Sequence, residues 1–130
     1  MSSGDSSNRR FERIDLRARV QVSSIDPERD PRTGATSYRD TDELCGTLSR
    51  GGAFIHSADP PAPGRRLLLQ LHLPGGESVE AVARVAWTRV PLGATREGGI
   101  GVEFVAASGE AQGVIDRFLA SARATAAPES

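Results

Sequence analysis

Three arginines fall within five residues, Arg9, Arg10 and Arg13, and a second polar cluster, Thr47-Leu48-Ser49-Arg50-Gly51-Gly52, lies in the middle of the chain. Guanidinium groups are always charged; they bind phosphate bidentately and stack on base faces. A Ser-x-x-Gly turn offers a hydroxyl, backbone N–H groups and room for a ligand to approach the main chain. Brought together, Arg9, Arg10, Arg13, Thr47, Ser49, Gly51 and Gly52 would hold a ligand that is anionic, planar and base-like. Other chemistry has little support. His56 and His72 stand alone on expected strands without a nucleophile at a supporting spacing. One Cys and two scattered His lack any metal-ligand spacing. The Gly98-Gly99-Ile100-Gly101 run has no following Lys-Ser/Thr and reads as the tight start of a closely packed strand. No enzyme activity, metal or cofactor is expected.

The elements that must position these groups are legible from periodicity. Ile14, Leu16, Ala18, Val20 and Val22 alternate with polar residues, as in a half-buried strand that begins directly after the arginine arm. Asp26 to Gly34, with two prolines and five charges, reads as an exposed loop, and pairing is expected to resume near Thr36–Arg39. Glu43–Leu48 and Ala53–His56 flank the Ser49–Gly52 turn as strand, kink, strand. Three prolines between Ala58 and Gly64 impose a loop. Leu67, Leu69, Leu71 and Leu73 then alternate, and Gly75-Gly76 is a hairpin dipeptide. Val79, Ala81, Ala83, Val85 and Trp87 form the inward series of the longest strand, so Trp87 is expected to be buried. Ile100, Val102 and Phe104 complete the sheet. From about Glu110 the period becomes helical through Val114, Ile115, Phe118, Leu119 and Ala122, with Ser108 as N-cap. Short strands at regular spacing followed by one helix indicate a small antiparallel barrel.

A length of 130 residues suits one domain. The expected organisation is a disordered tail over 1–8, a folded domain over 9–123 and a flexible tail over 124–130. With 38% hydrophobic and only 5% aromatic residues, the core must be aliphatic. A formal net charge of −1 gives the whole protein no attraction for nucleic acid or acidic membranes. The scarcity of stacking aromatics also argues against RNA or DNA binding. All 16 basic residues are arginine, which, with the abundant Ala, Gly and Pro, reads as GC-rich coding bias. Met1 to Asn8 is polar, no run approaches the ~20 apolar residues of a membrane span, and Cys45 has no disulfide partner. A cytoplasmic location is expected.

The arm Arg9-x-x-x-Arg13 and the turn Ser49-x-x-Gly52 resemble the two halves of the PilZ domain signature, R-x-x-x-R and [D/N]-x-S-x-x-G. The similarity extends over roughly residues 9 to 120, through Leu73-Pro74-Gly75-Gly76 and Gly99-Ile100-Gly101-Val102-Glu103-Phe104. It implies an all-β-dominated fold, a six-stranded antiparallel barrel with one C-terminal helix. It also implies binding of the bacterial second messenger cyclic di-GMP, and a signalling role through a protein partner of motility or envelope machinery. Thr47 departs from the pattern, which has Asp or Asn there. A carboxylate at that position accepts from guanine N1–H and N2–H together, whereas a hydroxyl accepts one bond and carries no charge. Losing one charge-assisted bond costs roughly 1.5–3 kcal/mol, or ~10–100-fold in affinity. The departure leaves a second possibility open: a PilZ adaptor that has given up the ligand.

Overall fold

The computed structural model describes residues 13–126. Eight strands and one helix follow in order: β1 Ile14–Ser24, β2 Glu28–Arg29, β3 Thr36–Ser37, β4 Asp40–Leu48, β5 Gly52–His56, β6 Arg66–His72, β7 Ser78–Arg89, β8 Gly99–Ala107 and α1 Gly109–Ala126. Six of the strands close a barrel in the order β1-β4-β5-β8-β7-β6, every pairing antiparallel. Closure leaves no sheet edge open, which is how a small all-β domain avoids pairing with its neighbours.

The inward series of each strand meets in one aliphatic core. Val20, Val22, Cys45, Leu48, Ile55, Leu67, Ala83, Val85 and Ile100 are all almost completely buried. The β6–β7 connection turns at Gly75 and Gly76, both at positive φ (105° and 104°), with the Leu73 N–H donating to the Glu77 carbonyl at 2.8 Å. At the end of β8 the Ser108 hydroxyl accepts the Ala111 N–H at 3.0 Å and starts α1. The helix buries Ala111, Val114, Ile115 and Leu119 against the barrel, Ile115 completely. Ile115 lines, with Val20, Ile55, Leu69 and Phe104, an interior void of only about 10 Å³. So small a void holds no ligand. The barrel is a packed core, and anything this protein binds must bind outside it.

Three details differ from expectation. The segment read as a loop over 26–34 contains β2, which pairs with β3 as a separate two-stranded ribbon. Arg39 clips that ribbon to the barrel through two bonds of 2.8 Å to Glu28, whose carboxylate also accepts from Ser24. The helix runs on to Ala126, so residues 124–126, expected in the flexible tail, are helical. Third, Trp87 is 46% exposed and not buried. The reason is a β-bulge: Val85 opposes Val102 while Trp87 opposes Gly101, which leaves Ala86 as an extra residue on β7. One extra residue reverses the in–out alternation of everything beyond it. Val79 to Val85 therefore face the core as expected, and Trp87 faces outward. The expected disorder of residues 1–8 lies outside the described residues.

Candidate functional site

A second bulge builds the other half of the site. On β4, Cys45 opposes Ile55 and Thr47 opposes Phe54, so Gly46 is the extra residue. Cys45 and Leu48, three apart, both point into the core, and Thr47 is delivered to the outer face. The Cys45 thiol donates to the Thr47 carbonyl at 3.2 Å across this bulge. Burial pushes that thiol up to about 12, so it is a packing group and not a nucleophile.

The Ser49–Gly52 turn then reverses the chain. The Ser49 N–H donates to the Gly52 carbonyl at 2.8 Å. Ser49 Oγ accepts from the Gly51 and Gly52 N–H groups at 3.3 and 3.2 Å and donates to the Gly52 carbonyl at 3.3 Å. Its hydroxyl, expected to be offered to a ligand, is thus engaged within the turn, and Ser49 is nearly buried. Ser49 shapes the loop that a ligand would meet. Gly52 is required for another reason: a Cβ there would collide with the Val102 carbonyl of the neighbouring strand.

Cross-strand register lays out the surface. One outward row runs Thr47–Phe54–Gly101–Trp87 across β4, β5, β8 and β7, and a second runs Gly52–Glu103–Arg84 across β5, β8 and β7. Gly101 has no side chain because the Trp87 indole lies on its backbone, and Gly99 is covered in the same way by the Phe54 ring. Phe54 and Trp87 stack at 5.6 Å and 20°. The Arg89 guanidinium sits over Phe54 at 5.0 Å, and the His56 ring meets Phe54 edge-on at 4.9 Å. The result is an exposed aromatic shelf laid on glycine backbone.

Between shelf and turn is an open hollow of about 330 Å³, lined by Arg13, Thr47, Ser49, Gly51, Gly52, Ala53, Phe54, Ala86, Trp87, Gly101, Val102 and Glu103. Its size is in the range of small-molecule sites. Five of the seven residues singled out from sequence, Arg13, Thr47, Ser49, Gly51 and Gly52, come together here; Arg9 and Arg10 lie outside the described residues. Arg13 is exposed and supplies positive charge at one wall. Thr47 Oγ1 is buried and has no hydrogen-bond partner among the described residues. Arg50 faces away and pairs with Asp116 of α1 at 3.2 Å, which ties the turn to the helix.

The sequence reading missed Phe54, Trp87 and Glu103. Trp87 was placed on the wrong face by an unbroken count of two, and only the glycine at the opposing position hinted that a large ring needed space outside. His56 and His72 lie on β5 and β6, which are not neighbours in the barrel, so they form no dyad. His56 Nδ1 instead meets Glu97 at 2.9 Å. Among the described residues no group of three or more His, Cys, Asp or Glu is arranged to hold a metal ion, and no helix is long and apolar enough to cross a membrane.

The described residues thus form a closed six-stranded barrel with a filled interior, a turn-and-shelf hollow on its outer face and a capping helix. The PilZ domain family model matches residues 7–121, and the chain belongs to that family. Solved structures share the fold at low identity. The Bacillus subtilis inhibitor of motility, MotI/DgrA, is 16% identical with a TM-score of 0.72; the match covers 91% of this chain and 52% of that one. The chain thus spans about half the length of that relative. The PilZ domain of YcgR from Escherichia coli, solved with cyclic di-GMP, is 16% identical with a TM-score of 0.62 over 90% of this chain and 92% of that one. The PilZ domain of CeSA from a cellulose-synthesizing bacterium is 18% identical with a TM-score of 0.57 over 85% and 96%. No curated protein matches the sequence.

Proposed function

We propose that this protein is a cytoplasmic cyclic di-GMP receptor module that acts through a protein partner and catalyses no reaction. The observation that carries the reading is the convergence of Arg13, Thr47 and the Ser49–Gly52 turn on one outer-face hollow beside an exposed tryptophan. Each feature matches a part of the ligand. Guanidinium groups from the arm, Arg9, Arg10 and Arg13, pair with the two phosphates and with guanine acceptors. The turn, shaped by Ser49 and kept narrow by Gly51 and Gly52, lets the ligand lie against main chain. The aromatic shelf offers a face on which a base can stack. Binding would draw the arm across the barrel wall, and the surface so formed would meet the partner. The motility inhibitor among the structural neighbours makes motility machinery the first place to look for that partner.

Calorimetric titration of the purified protein with cyclic di-GMP tests the reading, with Arg13→Ala alongside. Saturable binding, weakened at least ~10-fold by Arg13→Ala at unchanged melting temperature, is the expected result. Arg13 is exposed, so equal losses of affinity and stability would make it a structural residue instead.

The adaptor reading has one observation in its favour. Thr47 provides a single uncharged hydroxyl where the family pattern has a carboxylate or amide. If no heat of binding is found at high micromolar ligand, the outer face is a constitutive protein-docking surface and the receptor reading fails.

A further inference from the structure

We infer that Glu103 is a base-reading residue: its carboxylate accepts from the Watson–Crick donor edge of a guanine stacked on Trp87, and so sets preference for guanine over adenine. The inference rests on the cyclic di-GMP reading above and adds to it a residue outside both signature motifs.

Placement is the first argument. Glu103 lines the same hollow as Arg13, Thr47 and Trp87. Gly101, which carries the indole, and Glu103 are alternate residues on the outer face of β8, and Glu103 opposes Gly52 of the turn. One interstrand step and two residues of rise separate Trp87 from Glu103, about 8 Å between backbones. Thr47 lies three strand steps from Trp87, about 14 Å. A purine resting on the indole therefore has Glu103 within reach of its edge, and position 47 is out of reach.

The second argument is charge. A carboxylate in a hollow that gathers a dianion opposes binding unless the ligand brings donors to it. Guanine brings two, N1–H and N2–H, side by side, and a carboxylate offers two acceptor oxygens. Adenine presents a donor next to an acceptor, so a carboxylate satisfies one and repels the other.

Arg84 supplies the third. Its Nη2 donates to Glu103 Oε1 at 2.6 Å, with both side chains about half exposed. One such bond fixes the carboxylate's direction and uses only part of its acceptor capacity. Glu103 is thus oriented by a neighbour on β7 while its remaining lone pairs stay available to solvent or ligand.

The test is calorimetry of the wild type, Glu103→Gln and Arg84→Gln against cyclic di-GMP and cyclic di-AMP, with melting temperatures measured in parallel. Glutamine keeps the size but replaces two acceptors by one acceptor and one donor, which suits adenine. Glu103→Gln is expected to weaken cyclic di-GMP ~10–100-fold, to leave cyclic di-AMP no weaker, and to leave the melting temperature unchanged. Arg84→Gln breaks the same surface pair but keeps the carboxylate, and should weaken cyclic di-GMP by no more than about fivefold. If the wild type binds cyclic di-GMP and Glu103→Gln keeps both affinity and preference, this inference is wrong while the receptor reading stands. Equal loss in Arg84→Gln with preference intact would make the pair a structural clasp and likewise overturn it. If the wild type binds neither nucleotide, the receptor reading falls and takes this inference with it.

Discussion

Thr47 and Trp87 stand at opposite ends of one outward row, and each is where it is because of a single inserted residue, Gly46 in one case and Ala86 in the other. Thr47 lines the hollow and its Oγ1 makes no hydrogen bond among the described residues, so a carboxylate there adds an acceptor without breaking a described bond. Thr47→Asp should tighten cyclic di-GMP binding ~10–100-fold by calorimetry, the gain of one charge-assisted bond. Position 47 is beyond the reach of a base on Trp87, so the new carboxylate would meet the ligand's second guanine. A variant that folds normally and binds no better would show that position 47 faces neither base. Trp87 is a different kind of residue from the one its alternation suggests. A buried tryptophan would cost about 3–5 kcal/mol on truncation to alanine. This one is half exposed and packs one face on Phe54, so Trp87→Ala should cost only about 0.5–1.5 kcal/mol of stability, the worth of an aromatic pair. Denaturant melts of the two proteins decide between these values. Cyclic di-GMP affinity should fall by about 1–3 kcal/mol in the same variant, the worth of one base stack.

At the scale of elements, the strands were legible and their phase was not. Alternation in Ile14–Val22, Leu67–Leu73 and Val79–Val85 gave the correct core faces, because a two-residue period survives as long as pairing is regular. It fails at a bulge, since the extra residue leaves no compositional mark. Neither site-building bulge shows in the alternation, although two glycines stand at them: Gly46 is the extra residue on β4, and Gly101 lies opposite Trp87, each where a side chain would meet a ring. The turn itself was recognisable from Ser49-x-x-Gly52, but the reading gave its hydroxyl to a ligand when the turn's own N–H groups claim it. Pairing near Thr36 was legible and β3 lies there, but its partner β2 was not, because a two-residue strand has no period. The ribbon is held by charges, and this has a consequence for pH. Hydrogen bonds from Arg39 hold the Glu28 carboxyl below its usual value, and hydrogen bonds from Arg66, side chain and backbone, hold the Asp26 carboxyl down to about 2. A carboxylate whose folded value is depressed stabilises the fold above its unfolded value and loses that contribution as pH falls through the folded one. Stability should therefore decline from about pH 4 toward pH 2, and Glu28→Gln with Asp26→Asn should flatten that decline in denaturant melts taken across the window. An unchanged slope in the double variant would show that other carboxylates carry the acid sensitivity.

The molecule is a filled barrel whose candidate site, an open hollow, lies on its outer face. The fold class, the six barrel strands and the C-terminal helix could be read from the chain because an aliphatic core with turn residues at short intervals admits few other closures. The site could be read only in part. Its motif residues form short local strings, whereas Trp87 of the shelf and the acid Glu103 come from β7 and β8, far beyond the turn in sequence, and meet it through the strand pairing of the barrel. A cyclic di-GMP receptor would hold its guanine dinucleotide in this hollow, between the arginine arm and the shelf. Trp87 is the only tryptophan, so its fluorescence reports on that place and no other. Titrating cyclic di-GMP into the protein while following tryptophan emission is the most direct test. Solvent-exposed emission is expected in the folded apo protein, with a saturable change as a base stacks on the indole, absent in Arg13→Ala at the same ligand concentrations. Ligand binding detected by calorimetry with no change in tryptophan emission would put the ligand elsewhere and overturn the assignment of this hollow.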